Sequence, residues 1–196
     1  MRMNPPLKVA VIGLGNFGQL HARTLAALSE AQLVAVGDCV RSKAEQLARE
    51  LNVACVFATV TELIAERIAD ALVVATLTDS HVPIAQAALQ AGLHVLVEKP
   101  VGANLADTES LQARSRQFNC VVMAGHICMF HPLIGPLLER VRRHGFRAAH
   151  FVRHRPRNTG QLFPDEHPIR MTMVHDLYVM GQMVNNAEPE WLDALD

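Results

Sequence analysis

Cysteine is scarce in this sequence, and metal-ligand spacings are missing from it. The four cysteines are scattered with no C-x-x-C pair, at Cys39, Cys55, Cys120 and Cys128. Such spacing indicates reduced, mostly buried thiols rather than disulfides or a zinc site. The ten histidines form no H-E-x-x-H or other metal-ligand pattern, so the sequence predicts no metal centre.

A long hydrophobic run and an excess of charge are also missing. No apolar stretch approaches the roughly 18 residues that a transmembrane helix requires. The start, Met-Arg-Met-Asn-Pro-Pro, leads directly into an apolar strand without a cleavable signal, so we expect a cytoplasmic protein with no membrane partner. The net charge of −1 gives no reason to expect a nucleic-acid partner.

Arginine is the exception to this balance, because it concentrates in one segment. Residues 139–170 contain eight arginines against three acidic residues. This segment is either a surface for an anionic ligand or a solvated basic face or subunit contact.

Strand-like and helix-like segments alternate regularly through the first 125 residues. The predicted strands are Lys8–Ile12, Leu33–Gly37, Val56–Phe57, Ala71–Ala75, His94–Val97 and Cys120–Ala124. Helical periodicity lies between them. Ser80 is predicted to cap one helix, which Gly92 ends. The alternation predicts an α/β fold: a doubly wound parallel Rossmann sheet with helices on both faces.

The alternation stops after residue 125. Pro132–His144 has the pattern of a helix, Phe146–Arg153 that of a strand, and Ile169–Val184 that of a Met-rich helix. We predict a nucleotide-binding domain over residues 1–125 and an incomplete α+β domain for substrate or oligomerisation over residues 126–196. A chain of 196 residues is short for two complete domains.

A glycine pattern directly follows the first strand. Residues 9–18 read Val-Ala-Val-Ile-Gly-Leu-Gly-Asn-Phe-Gly, which places G-x-G-x-x-G between a strand and a helix. In this pattern Gly13 allows a tight turn, Gly15 lets the backbone approach a pyrophosphate, and Gly18 lets the helix pack closely. The pattern predicts a dinucleotide site at a helix N-terminus.

An acidic residue lies at the spacing that such a site requires. Asp38 ends the second strand, twenty residues after Gly18. A carboxylate there can accept hydrogen bonds from both ribose hydroxyls and repels a 2′-phosphate, which favours NAD. Arg41 lies close enough to accommodate a phosphate, so NADP stays open.

The segment Glu98-Lys99-Pro100 closes another apolar strand. It places an ammonium group at the carboxyl edge of the predicted sheet, where a nicotinamide ring would lie. Partial burial can lower the pKa of such a lysine or orient it toward a substrate hydroxyl. Pro100 is a candidate for a cis peptide bond.

These motifs resemble those of the Gfo/Idh/MocA family of oxidoreductases. Two further segments of the chain share this resemblance: Thr76–His81 and the string Ala-Gly-Leu-His-Val-Leu-Val that precedes Glu98. The resemblance implies an N-terminal Rossmann domain, a C-terminal α/β domain with a large open sheet, and NAD(P)-linked chemistry at a carbinol. It implies a sugar, a nucleotide sugar or a cyclitol as substrate. It also implies that Lys99 meets substrate and cofactor and that His81 lies near the nicotinamide.

Two later segments resemble family blocks with substitutions. Residues 125–132 resemble G-H-i-x-R-F-n-P, with Met129 at the arginine position. Residues 171–175 resemble D-x-x-x-H, so His175 matches the catalytic histidine while Met171 replaces the aspartate, and Tyr178 takes a further acidic position. Met171 cannot stabilise an imidazolium as a carboxylate would. Lys99 could therefore act alone as general acid/base, with His175 positioning substrate.

The resemblance also implies that most of the C-terminal sheet lies beyond Asp196. A truncated product, a degenerate reading frame and a short form completed by oligomerisation all stay open. An unfinished sheet has an unpaired edge and an uncovered apolar face, so a homo-oligomer is expected.

The sequence thus predicts an NAD(P)-dependent oxidoreductase that transfers a hydride between nicotinamide and a sugar-like carbinol, with Lys99 and His175 as catalytic residues. The alternative is a catalytically inactive dinucleotide-binding module or truncated remnant. The residues expected at the cofactor are Gly13, Gly15, Asn16, Phe17, Gly18, Asp38, Arg41, Thr76, His81, Glu98, Lys99 and Pro100.

Overall fold

A computed structural model describes residues 5–152 and 173–187 of the chain. The chain divides into two compact units, Met1–Gly125 and His126–Asp196. No helix among the described residues is both long and apolar enough to cross a membrane.

The first unit is built on a six-stranded parallel sheet. Its strands are β1 (Leu7–Ile12), β2 (Ala31–Gly37), β3 (Cys55–Phe57), β4 (Ala71–Val74), β5 (His94–Val97) and β6 (Val122–Ala124). They lie in the order β3-β2-β1-β4-β5-β6. The connecting helices are α1 (Asn16–Ala27), α2 (Arg41–Leu51), α3 (Val60–Glu66), α4 (Thr78–Gln90) and α5 (Leu105–Phe118). The predicted Rossmann fold is confirmed.

Successive residues of β1 belong to two different cores. Val9 and Val11 pack with Ala22 of α1 and Leu47 of α2 on one face of the sheet. The alternate residues, including Ile12, join a second cluster with residues of α3, α4 and α5 on the other face. Side chains of a strand alternate between the faces, so a strand covered on both sides is apolar throughout.

The chain reverses its winding at β1, which pairs with β2 on one side and β4 on the other. In an open α/β sheet, ligands bind at the carboxyl ends of the strands beside such a switch point. The loops that follow β1, β2, β4 and β5 all leave the sheet at this edge. The glycine turn, Asp38, Thr76 and the Glu98 to Pro100 segment therefore share one edge.

Local signals account for some of the helix ends. Asn104 caps α5 by accepting a hydrogen bond from the Asp107 N–H at 3.0 Å. Gly92 follows α4 with φ +84°, as its predicted left-handed role requires. The predicted Ser80 cap is wrong, because α4 begins at Thr78. The Ser80 hydroxyl lies in the first turn and donates to the Leu77 carbonyl at 2.7 Å.

The described part of the second unit is helical. A 3₁₀ turn spans Ile127–Phe130, followed by α6 (Ile134–His144) and α7 (Val174–Met183). The strand expected over Phe146–Arg153 is absent from residues 146–152. A strand requires a hydrogen-bonded neighbour, and no described strand pairs with this segment. Met171 and most of the arginine-rich segment lie outside the described residues.

Candidate functional site

In the glycine turn after β1, two glycines lie close to neighbouring backbone atoms and the third faces open space. Gly13 has φ +87°, and a Cβ there would lie 2.6 Å from the backbone between Ala75 and Thr76. A Cβ on Gly18 would lie 1.7 Å from the Gly13 carbonyl oxygen. At Gly15 a Cβ would meet nothing within 4 Å. Glycine is therefore required sterically at Gly13 and Gly18, whereas Gly15 leaves the backbone open to an approaching ligand.

The helix that follows this turn presents uncompensated N–H groups. Gly15 is its N-cap, no side chain caps it, and its first turn contains no acidic residue. The N-terminus of such a helix has partial positive charge and suits an anion. Asn16 and Phe17 are the first two residues of α1, and both are exposed beside the turn. The turn and helix together fit a pyrophosphate.

Asp38 connects the end of β2 to the glycine turn. Its carboxylate oxygens accept hydrogen bonds from Leu14 N–H at 2.7 Å and Val40 N–H at 2.8 Å. Burial raises the pKa of Asp38, but these hydrogen bonds and the nearby Lys43 ammonium outweigh burial and hold the pKa below its ordinary value. Asp38 is therefore an ionised acceptor at neutral pH. Oδ1 also accepts a weak hydrogen bond from Cys39 Sγ at 3.6 Å, so Oδ2 is the oxygen with a further lone pair for a ribose hydroxyl.

Two basic side chains follow Asp38 at the start of α2. Arg41 donates from Nε to Glu45 Oε1 at 3.0 Å, on the exposed surface of the helix. Lys43 contributes the positive charge that acts on Asp38. The sequence analysis selects Arg41 and misses Lys43. The position of Lys43 in the first turn of the helix that follows Asp38 could have indicated its proximity to that carboxylate.

His81 is enclosed rather than presented to the edge of the sheet. It is 1% exposed, and its ring nitrogens lie 2.8 Å from the Pro100 carbonyl oxygen and 3.1 Å from the Thr76 carbonyl oxygen. Both ring nitrogens thus face backbone carbonyl oxygens. His81 instead joins the loop after β4 to the loop after β5.

The Glu98 to Pro100 segment contains a cis peptide bond between Lys99 and Pro100, as expected. Glu98 Oε1 lies 2.8 Å from His21 Nε2, and Glu98 Oε2 accepts the Lys99 backbone N–H at 3.1 Å. Burial raises the pKa of Glu98, but His21 and Lys99 outweigh burial and lower it below its ordinary value. Sequence reasoning missed His21, since 77 positions separate it from Glu98.

The second unit contains its own cluster of ring side chains. His126 stacks on Tyr178 with ring centroids 3.9 Å apart and meets His175 edge-on at 6.4 Å. His175 lies in the first turn of α7, and its carbonyl accepts a weak hydrogen bond from Cys128 Sγ at 3.9 Å. Tyr178 therefore packs against the ring of His126 from the position where the family pattern has an acid.

Within residues 5–152 and 173–187, no group of three or more His, Cys, Asp or Glu side chains is arranged to hold a metal ion. The glycine turn, Asp38, Thr76 and Lys99 lie at one edge of the first unit. His175 belongs to the second unit.

A parallel sheet with its switch point at β1, an open glycine turn and an ionised Asp38 define a dinucleotide-binding α/β protein. Residues 7–126 match the Gfo/Idh/MocA family, described as an oxidoreductase family with an NAD-binding Rossmann fold. The chain belongs to this family.

Individual relatives are dehydrogenases. The chain is 32% identical over 189 residues to UDP-N-acetylglucosamine 3-dehydrogenase of Acidithiobacillus ferrooxidans, covering 93% of this chain and 56% of that protein. It is 28% identical to myo-inositol 2-dehydrogenase of Thermotoga maritima, with coverages of 91% and 56%. A crystal structure of Lactobacillus casei scyllo-inositol dehydrogenase with NAD(H) and scyllo-inositol superposes with a TM-score of 0.67 at 26% identity, covering 70% of this chain and 41% of that one. The chain thus spans about half the length of these relatives.

Proposed function

We propose that the chain binds NAD at the carboxyl edge of its sheet and takes part in hydride transfer to or from a CH–OH group of a sugar, nucleotide sugar or cyclitol. The observation that carries this proposal is the combination of the open turn at Gly15 with the ionised, hydrogen-bonded Asp38. The named relatives support the substrate class, since they act on an inositol or on a nucleotide sugar. A homo-oligomer is part of the same proposal.

The residues of this chain divide the work at that edge. Backbone N–H groups at the start of α1 bind the pyrophosphate, and Asp38 accepts hydrogen bonds from the adenosine ribose. Bound NAD supplies the hydride acceptor or donor. Lys99, which follows β5, moves the proton of the substrate hydroxyl. His175, in the second unit, is a second proposed catalytic residue on its match to the family histidine alone. General acid/base catalysis contributes about 10²–10⁴-fold.

NAD is preferred to NADP in this proposal. The Asp38 carboxylate repels a 2′-phosphate, and its lowered pKa keeps that charge in place at neutral pH. Arg41, the side chain that would bind such a phosphate, is paired with Glu45. We therefore expect tighter binding of NADH than of NADPH.

Lys99→Ala tests the proposed chemistry. The wild-type chain is titrated with NADH by nicotinamide fluorescence and assayed for turnover on a panel of inositols, sugars and nucleotide sugars. We expect Lys99→Ala to lower turnover by at least about 10²-fold while the variant still binds NADH through the glycine turn and Asp38. Lys8→Ala is the matched control, because Lys8 lies at the amino end of β1, away from the site. Unchanged turnover in Lys99→Ala would contradict the assigned role.

A dinucleotide-binding module without catalysis is the second candidate. It is favoured by Tyr178, whose ring packs on His126 from the position where the family pattern has an acid. NADH binding without turnover of any panel member would support this candidate and reject the first.

A further inference from the structure

A hydrogen bond joins helix α1 to the segment that contains Lys99. His21 Nε2 lies 2.8 Å from Glu98 Oε1, and the two side chains are 26% and 12% exposed. The lowered pKa of Glu98 makes it a carboxylate at neutral pH. A carboxylate only accepts hydrogen bonds, so His21 donates its Nε2 proton to Glu98.

The same carboxylate fixes the backbone of Lys99. Its other oxygen, Oε2, accepts the Lys99 N–H at 3.1 Å. The backbone of Gly125 confines Glu98 further, because a Cβ at Gly125 would lie 3.1 Å from the Cα, Cδ and Oε1 atoms of Glu98. Glu98 is therefore held by His21, by the Lys99 amide and by the close backbone of Gly125.

Glu98 also acts on Lys99 through charge. Two residues lower the pKa of Glu98: His21, from α1, chiefly through its hydrogen bond to the carboxylate, and Lys99, from its own segment, through its backbone N–H and its positive charge. Coulombic attraction is mutual, so an ionised Glu98 favours the ammonium form of Lys99. A partly enclosed pair is screened less by salt than a surface pair.

We propose that His21 and Glu98 are positioning residues for Lys99: His21 orients the Glu98 carboxylate, and that carboxylate holds the Lys99 backbone and favours the ammonium form of its side chain. This proposal rests on the proposed function for its catalytic meaning. Glu98 and His21 act through Lys99, and neither needs to touch substrate.

The test measures the protonation of Lys99 directly and does not depend on turnover. The sequence contains three lysines, Lys8, Lys43 and Lys99, so labelling lysine with ¹³C at Cε gives few resonances, and Lys99→Ala identifies that of Lys99. The midpoint of its pH titration is compared between variants that circular dichroism shows to be folded.

Glu98→Gln keeps the shape of the side chain and removes its charge. We expect the Lys99 midpoint to fall, because the variant removes a negative charge that favours the ammonium form. The matched control is Glu50→Gln, which removes the exposed carboxylate that pairs with Arg23, a residue of the same helix as His21, and should leave the midpoint unchanged. An unchanged midpoint in Glu98→Gln would overturn the proposal.

His21 is tested by loss and rescue. His21→Ala should shift the Lys99 midpoint in the same direction as Glu98→Gln, because the carboxylate loses its donor. His21→Gln should restore it, since the glutamine amide can donate from nearly the same place as Nε2. Equal midpoints in His21→Ala and wild type would reject the part assigned to His21.

NADH titration and panel turnover of the same proteins separate the two proposals. If the wild-type chain binds no NADH, the proposed function fails, while the lysine titration still decides whether Glu98 controls Lys99. If the wild type turns over substrate, Glu98→Gln should lower kcat in the direction in which the Lys99 ammonium donates its proton to the substrate oxygen.

Discussion

Replacing Gly15 by alanine is expected to weaken NADH binding without unfolding the domain. Gly15 has φ −68° and ψ −167°, a conformation open to alanine, and a Cβ there meets nothing within 4 Å. Alanine is a poorer N-cap than glycine by up to about 1 kcal/mol. It also reduces the entropy of the unfolded chain, which stabilises by about 0.4–1 kcal/mol. These effects offset each other, so the free energy of unfolding should change by less than about 1 kcal/mol.

Cofactor affinity should respond differently to Gly15→Ala. The added methyl group occupies the side of the turn from which a pyrophosphate would approach the start of α1. We expect the Kd for NADH to rise at least about tenfold, which corresponds to about 1.4 kcal/mol of binding free energy.

Gly18→Ala is the contrasting variant. Its methyl group would lie 1.7 Å from the Gly13 carbonyl oxygen. The obstructing atom belongs to the backbone of the turn, so helix α1 must move away from β1. We expect a loss of more than about 3 kcal/mol in the free energy of unfolding.

Urea unfolding followed by circular dichroism and NADH titration by fluorescence measure both quantities on the same samples. A folded Gly15→Ala protein that binds NADH as tightly as wild type would refute the assignment of this turn to the pyrophosphate. A Gly18→Ala protein as stable as wild type would refute the packing argument.

Three further variants test individual contacts. Asp38→Asn should reduce the loss of unfolding free energy that occurs at acid pH. The pKa of Asp38 is lower in the folded protein than in the unfolded chain, so the ionised group stabilises the folded state at neutral pH. That stabilisation is lost as the pH falls below about 4. Urea unfolding at pH 7 and pH 3 measures this, and an unchanged difference between the two would contradict it. His81→Leu should cost about 1–3 kcal/mol, because it removes the buried ring N–H that is donated to one of the two facing carbonyls, that of Thr76 or that of Pro100. Wild-type stability in urea would contradict this role. Asn104→Ala should cost about 1 kcal/mol through loss of the α5 cap, and Asn104→Asp should recover most of it in the same assay.

Prediction from sequence succeeded where local pattern and physical requirement coincide. The apolar strands, the glycine turn after β1 and the left-handed Gly92 all follow from a few adjacent residues. Strand limits were less accurate: β6 begins at Val122 rather than at the expected Cys120. The pairing of β6 with β5 begins at Val122, and the sequence of β6 alone does not show where this pairing begins.

The sequence predicted which residues follow the strands and so lie at the candidate site, but it did not predict which atoms those residues contact. Asp38 and Lys99 were selected because each follows an apolar strand. His81 was also selected, yet the structure encloses it between two loops, with both nitrogens on carbonyl oxygens. His21 was not selected, because helix α1 meets the Glu98 segment only when the sheet is assembled.

The sequence by itself determined that this is a parallel α/β protein with a dinucleotide turn, because strand apolarity, the spacing of three glycines and the position of Asp38 are local properties. Only the tertiary structure decided what each polar group at the sheet edge contacts. Parallel strands bring loops from distant parts of the chain to one edge. The contacts that form there keep Asp38 and Glu98 ionised and place His81 between two loops. His21 reaches Glu98 and His81 reaches Pro100 for that reason.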